Sequence, residues 1–223
     1  VRGRMSRWAL AIDTAGPVAG FALAREGQPT VAWQGPAERG SDSALAPRVA
    51  ALLAEIPNGA PGVVLVVNGP GTFTGLRVGV ALGLGVAVAR RCPVMTVGSL
   101  FARALGQTAP RVLALLDARK GRAYAQQFDA SGALPVALTD AVDLHPSGLD
   151  LEPGFVAVGQ GALAFADWVA QAGGSVAPRA EALAIERLAE LALAGAFPAS
   201  TAEAVGLAYL REPDITLPRP PTG

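Results

Sequence analysis

The apolar residues of this chain change spacing along its length. Trp8–Ile12, Val18–Ala24 and Thr30–Gln34 are short apolar runs parted by the turn signals Gly16-Pro17 and Glu26-Gly27-Gln28, and predict three strands joined as two hairpins. Leu45, Val49, Leu52, Leu53 and Ile56 then fall at helical spacing. Ser41-Asp42-Ser43 offers N-caps to that helix, and Pro47 lies near its first turn, where proline is tolerated. Val63–Val67 is a continuous β-branched run, the pattern of a strand covered on both faces. Gly69-Pro70-Gly71 breaks it, and Thr72 is placed to cap a helix over Thr74–Arg90.

That helix has an unusual composition. From Val78 to Ala89 it carries no charged or strongly polar side chain, so no face is marked for water. Those twelve residues are too short a run to cross a bilayer and predict a core or interface helix. Gly75, Gly79 and Gly83 recur every fourth residue and draw a side-chain-free stripe along which another backbone can come close. Each glycine costs a helix interior about 1 kcal/mol relative to alanine, so three in register imply a packing purpose. Two readings stand: the stripe packs inside its own domain, or it faces outward and joins the Leu45–Ile56 helix in a bundle between subunits. The second predicts that a long side chain at Gly79 leaves the lobe folded and abolishes association.

Further along, Val94–Val97 predicts a strand and Leu100–Leu105 a short helix. Val112–Asp117 turns through Ala118–Gly121 into Arg122–Phe128, a new hairpin, followed by a strand at Phe155–Val158 and helices over Gln160–Ala172 and Glu181–Ala194. Two halves that each open with a hairpin and continue in strand-helix units predict a duplicated α/β fold of the actin, hexokinase and Hsp70 class, with two lobes of mixed sheet flanked by helices. The expected division is 1–105 for the first lobe, 106–216 for the second, and a flexible tail at 217–223 rich in proline.

Charge and chemistry narrow the function mainly by exclusion. The formal net charge is zero and only 16% of residues are charged, so the basic stripe of an autonomous nucleic-acid binder is missing. Cys92 is the single cysteine and His145 the single histidine, which rules out a disulfide, a two-histidine metal site within one subunit and a Ser-His-Asp triad. No G-x-S-x-G elbow occurs, and Gly69-x-Gly71 with Gly75 misses the dinucleotide spacing. In the actin-like class the first hairpin of each lobe holds phosphate, which makes Asp13, Thr14 and the Asp117–Gly121 turn the places for ATP contacts. There Asp13 would orient a metal-bound water; the plainer reading, which is favoured, is an aspartate that orders the hairpin turn at a strand end. Arg119 and Lys120, with Arg122, form the strongest local positive patch: a solvated tip, or a contact for phosphate of a partner-bound nucleotide or tRNA. Arg77 stands in the first turn of the glycine-rich helix, where the dipole disfavours a cation, and implies an external carboxylate or an intrachain pair. Gly159-Gln160-Gly161 is a weak signal for an adenosine loop. With no secretory h-region and no run of eighteen apolar residues, a cytoplasmic protein without a membrane span is expected. The residues before Met5 read as an alternative start or an added remnant.

Ala11-Ile-Asp-Thr14, Gly69-Pro-Gly-Thr-Phe-Thr-Gly-Leu-Arg77, Leu116-Asp-Ala-Arg119 with Tyr124, and Ala208-Tyr-Leu-Arg211 together resemble the TsaB (YeaZ) family. Ser41-Asp-Ser43 departs from the His-Ser-Glu often found there in the family. The resemblance implies a non-catalytic relative of TsaD that binds and activates it. With TsaE and a threonylcarbamoyl-adenylate synthase, TsaD places threonylcarbamoyl on the adenosine beside the anticodon of tRNAs reading ANN codons. It implies pairing with TsaD, TsaE reached through the complex, a homodimer when alone, tRNA touched only indirectly or weakly, no metal, and no cofactor in this chain, with any ATP at the complex interface. The expected partner-binding residues are Leu45, Val49, Leu53, Gly75, Leu76, Arg77, Gly79, Val80 and Gly83. The alternative is an ATP-dependent small-molecule transferase or kinase of the same fold class.

Overall fold

A computed structural model describes residues 7–37, 42–208 and 210 of the chain. The first lobe contains β1 (Trp8–Asp13), β2 (Val18–Arg25), β3 (Gln28–Pro36), helix α1 (Asp42–Ala54), β4 (Gly62–Val67), helix α2 (Phe73–Arg90) and β5 (Val94–Val97). Helix α3 (Ser99–Ala104) leads to the second lobe, made of β6 (Val112–Arg119), β7 (Arg122–Asp129), β8 (Val136–Ala137), β9 (Val142–Leu144), β10 (Val156–Val158), helices α4 (Gln160–Ala164) and α5 (Ala166–Gln171), and β11 (Ser175–Val176). Helix α6 (Ile185–Leu193) and β12 (Ala199–Ser200) follow.

The sheet orders are β12-β5-β4-β1-β2-β3 and β11-β10-β6-β7-β8, with β9 also paired to β7. In each, the first strand runs antiparallel to the second and parallel to a later one: β1 to β2 and β4, and β6 to β7 and β10. This repeat is the duplicated actin-like architecture that the strand pattern predicts.

From Trp8 to Ile12 in β1 and from Val63 to Val67 in β4 every residue is apolar, because both faces of these strands are covered. Ala9, Ala11, Val63, Leu65 and Val67 meet α6, whereas Leu10, Ile12, Val64 and Val66 share a core with Leu45, Val49 and Leu53 of α1 and Val80 and Ala87 of α2. Helix α3 belongs to both lobes, with Ala102 in the first core and Leu100 and Ala104 in the second. Between them Phe101 meets Phe128 and Phe197 edge to face, at centroid distances of 6.4 and 6.0 Å.

Three expectations change. The chain does not stay in its second lobe from 106 to 216: Leu188, Ala189 and Ala192 of α6 lie in the first lobe's core, and β12 pairs with β5. The sequence predicts a helix over Glu181–Ala194 but not which sheet it covers. The helix expected over 160–172 is broken at Phe165, which leaves helical geometry at φ −114° and starts α5. Finally, α2 spans 18 residues, so its length and composition alone would suit a membrane span. Its place on the first sheet, with Leu76, Val80 and Ala87 buried, makes it a helix of the lobe. The expected tail at 217–223 and the residues before Met5 lie outside the described residues.

Candidate functional site

At the loop from Asn68 to Thr72 the end of β1, the start of α2 and Ala208 meet, three of the four resembling stretches of sequence. The Thr72 N–H donates to the Ala15 carbonyl at 2.9 Å, Ser99 N–H to Gly69 at 2.8 Å, and Ala208 N–H to Asn68 at 2.8 Å. The Thr14 hydroxyl donates to the Gly75 carbonyl at 2.6 Å. These bonds fix the start of α2 against the end of β1.

Glycine makes that approach possible. A Cβ at Gly75 would overlap the Thr14 carbonyl, one at Gly79 the Thr14 hydroxyl, and one at Gly83 the side chain of Val66. The glycine stripe therefore faces inward, and the outward-facing groove expected for it is corrected: Gly75, Gly79 and Gly83 let α2 lie on its own sheet. Leu76 and Val80 of the same face are buried, as are Leu45, Val49 and Leu53 on α1. Among the residues expected to touch a partner, Arg77 alone is exposed. Its guanidinium lies 3.6 Å from the centroid of the Phe73 ring.

The opposite face of α2 carries a second row that sequence reading missed. Ala81, Gly85, Val88 and Ala89 are exposed, with Arg77 at one end and no other charge among them. Val88 is 65% exposed, and a Cβ at Gly85 would meet nothing within 4 Å. Beside this row α1 exposes Ala46, Pro47, Ala50, Ala51 and Ala54. The signal was in the sequence: a helix with no polar face must leave an apolar one uncovered once a single sheet takes the other.

The cleft between the lobes is arranged differently. Asp13 is 1% exposed; one carboxylate oxygen accepts the Ala15 N–H at 3.0 Å and the other pairs with the buried guanidinium of Arg103 on α3. Asp13 and Thr14 thus spend their polar atoms on this chain's own backbone and on Arg103. Beside them Pro17, Val18, Arg103, Gln160, Glu181 and Leu183 enclose a cavity of about 10 Å³, room for one water at most. Gly159 and Gly161 are close-packing positions, since a Cβ at either would run into Leu115. Arg103 escaped sequence reading because a lone arginine in a short helix is ordinarily a surface residue.

In the second lobe Asp117 accepts the Arg119 N–H at 2.7 Å, and Arg119 and Lys120 take left-handed φ values of 63° and 54° at the tip of the β6–β7 hairpin. Arg122 is paired within the lobe: its Nε donates to Asp143 at 2.8 Å. His145 is an N-cap whose Nδ1 accepts the Ser147 N–H. The described residues contain no group of three or more His, Cys, Asp or Glu able to hold a metal ion.

A larger groove, about 530 Å³, lies at the far end of α2, between Ala87, Val88, Arg91 and Cys92 on one side and Ala199–Glu203 on the other. Burial raises the pKa of the Cys92 thiol there, which keeps it protonated and unreactive.

The loop, the helix it launches and the C-terminal segment docked on it are shared with known proteins. A family model described as TsaD: tRNA N6-adenosine threonylcarbamoyltransferase matches residues 36–212. The chain belongs to the TsaD family. Within it the chain resembles TsaB (YeaZ). It is 34% identical over 110 residues to the tRNA threonylcarbamoyladenosine biosynthesis protein TsaB of Escherichia coli (strain K12). That match takes in 45% of this chain and 48% of the relative, so about half the relative's length is spanned. Two solved structures from Pseudomonas aeruginosa share the fold. One is an uncharacterized protein with similarity to peptidase YEAZ, at TM-score 0.78, and the other is YeaZ, at 0.77; each is 24% identical and covers 92% of this chain and 100% of its own.

Proposed function

We propose that this chain is a non-catalytic subunit that binds and activates TsaD in the transfer of threonylcarbamoyl to the adenosine beside the anticodon of tRNAs reading ANN codons. The observation that carries this reading is the outer face of α2, an exposed, nearly uncharged row beside an exposed alanine-rich side of α1. Small residues at Ala81, Gly85 and Ala89 let a partner helix come close, and Arg77, stacked on Phe73, supplies a cation for a partner carboxylate at one end. The same face serves self-association when TsaD is absent. TsaE is reached through the complex, tRNA is touched indirectly, and any ATP lies at the interface between subunits in the cytoplasm. The sealed cleft at Asp13 favours this over an ATP-dependent transferase, because the carboxylate that would orient a metal-bound water is held by Arg103.

Capture of TsaD by the wild-type chain and by Val88→Asp tests the reading. The variant places a charge on an exposed site, so it keeps its circular dichroism and loses TsaD. Undiminished capture by a folded Val88→Asp chain overturns the proposal, as does ATP turnover by the isolated chain that Asp13→Ala abolishes.

A further inference from the structure

We infer that Arg90 is a positioning residue that sets the spacing of α1 and α2, and so shapes the two-helix surface on which the proposed TsaD contact rests. Arg90 is the last residue of α2, but its guanidinium reaches to the end of α1, donating from one nitrogen to the Leu53 carbonyl at 2.5 Å and from another to the Ile56 carbonyl at 3.1 Å.

An α-helix leaves its last carbonyls without partners, and α1 carries no basic residue in its own last turn. The Leu53 carbonyl, in that last turn, also accepts the Ile56 N–H at 3.1 Å, and Ile56 follows two residues after the helix; to this end Arg90 adds two hydrogen bonds and a positive charge. The C-terminal end of α1, a pole of partial negative charge, thereby meets a cation carried by the last residue of α2.

The tie acts in one direction. Helix α2 is locked to the sheet by the close approaches of Gly75, Gly79 and Gly83, whereas α1 is seated by Leu45, Val49 and Leu53 and has no such glycine contacts. Arg90 therefore transmits the fixed position of α2 to α1. The other polar tether at this end, Arg25 to Glu55 at 3.1 Å, involves a carboxylate side chain that is 66% exposed, and is correspondingly weak. A partner that touches both helices senses the spacing. One that touches α2 alone does not.

The test uses the full chain with Cys92→Ser as background and spin labels on cysteines at exposed Ala50 and Ala81. Arg90→Met keeps the apolar stem and removes the fork; Arg90→Lys keeps the charge but not two fixed donors. Arg90→Met is expected to broaden the distance distribution between the labels in the free labelled chain and, in the unlabelled chain with Ala50 and Ala81 intact, to weaken TsaD binding about tenfold. Arg90→Lys is expected to lie between it and the parent, and carries the test alone if Arg90→Met fails to fold. An unchanged distance distribution overturns the inference whatever happens to affinity, and so does a broadened one with unchanged affinity. Val88→Asp separates this from the parent proposal: if it leaves TsaD bound, the partner reading fails, while the label distances still judge the tie.

Discussion

Gly79 and Gly85 are the same residue on the same helix, and the fold treats them in opposite ways. At Gly79 the missing side chain is filled by Thr14, whereas at Gly85 nothing lies within 4 Å. The inner glycine is required by the lobe itself. The outer one costs α2 helical stability, and among the described residues nothing lies where its side chain would stand. One helix therefore combines a structural face, where any added atom must push something aside, with a face that has room for another backbone. Glycine spacing alone does not tell the two apart, because a stripe at period four reads the same whichever way it points.

The sharpest way to break the comparison is to remove what the inner face leans on. Arg103→Met leaves the buried Asp13 carboxylate, next to Thr14, without its counter-charge, and is expected to cost about 3–5 kcal/mol in urea unfolding. A loss below 1 kcal/mol would show that the pair is not what holds this corner. Gly79→Leu comes next, at about 1–3 kcal/mol or more from overpacking, and calorimetry should register a fall in Tm before any effect on association is read. This reverses the sequence expectation that the variant leaves the lobe intact. Unaltered stability would turn the stripe outward again.

On the outer face the expected signs change. Gly85→Ala should stabilise the chain by about 0.5–1 kcal/mol, since it raises helix propensity at a site with open space. Gly85→Leu should be equally well folded and should lose TsaD, because only its bulk stands in the way; a fall in stability like that of Gly79→Leu would erase the distinction between the faces. The smallest effect belongs to Cys92, at the far end of the helix. Burial raises its pKa above the usual 9.0, so the fold favours the protonated thiol. That contribution is complete below pH 9 and is lost as the pH climbs through the raised value. Unfolding midpoints measured across this range should decline slightly, and Cys92→Ala should flatten the decline.

Much of this was legible in the sequence. The continuous apolar run before Asn68, the turn residues of both hairpins and the proline-glycine break locate the strands and α2 closely, because each is a local signal with a backbone cause. The cores of α1 and α2 were equally readable as residues, but their direction was not. Leu76 and Val80 are what a partner would want and also what a sheet wants, and only the position of Thr14 decides. Arg103 and Arg90 were invisible for a related reason: each acts on a group far away in the chain, Asp13 in one case and the carbonyls of α1 in the other. The weak edge pairs β8, β9, β11 and β12 are two or three residues long and depend on their neighbours rather than on their own composition.

The return of α6 to the first sheet bears on how the molecule is made. Leu188, Ala189 and Ala192 cover the face of β1 and β4 that Ala11 and Leu65 present, yet they are synthesised after the whole second lobe. At elongation rates of about 5–20 residues per second, β1 and β4 wait on the order of ten seconds or more for α6 with one apolar face open. The second lobe, whose strands β6 to β11 are contiguous in sequence, can close first. Assembly on the ribosome thus runs against chain order, and the early hairpin is the part of the nascent protein most in need of a chaperone.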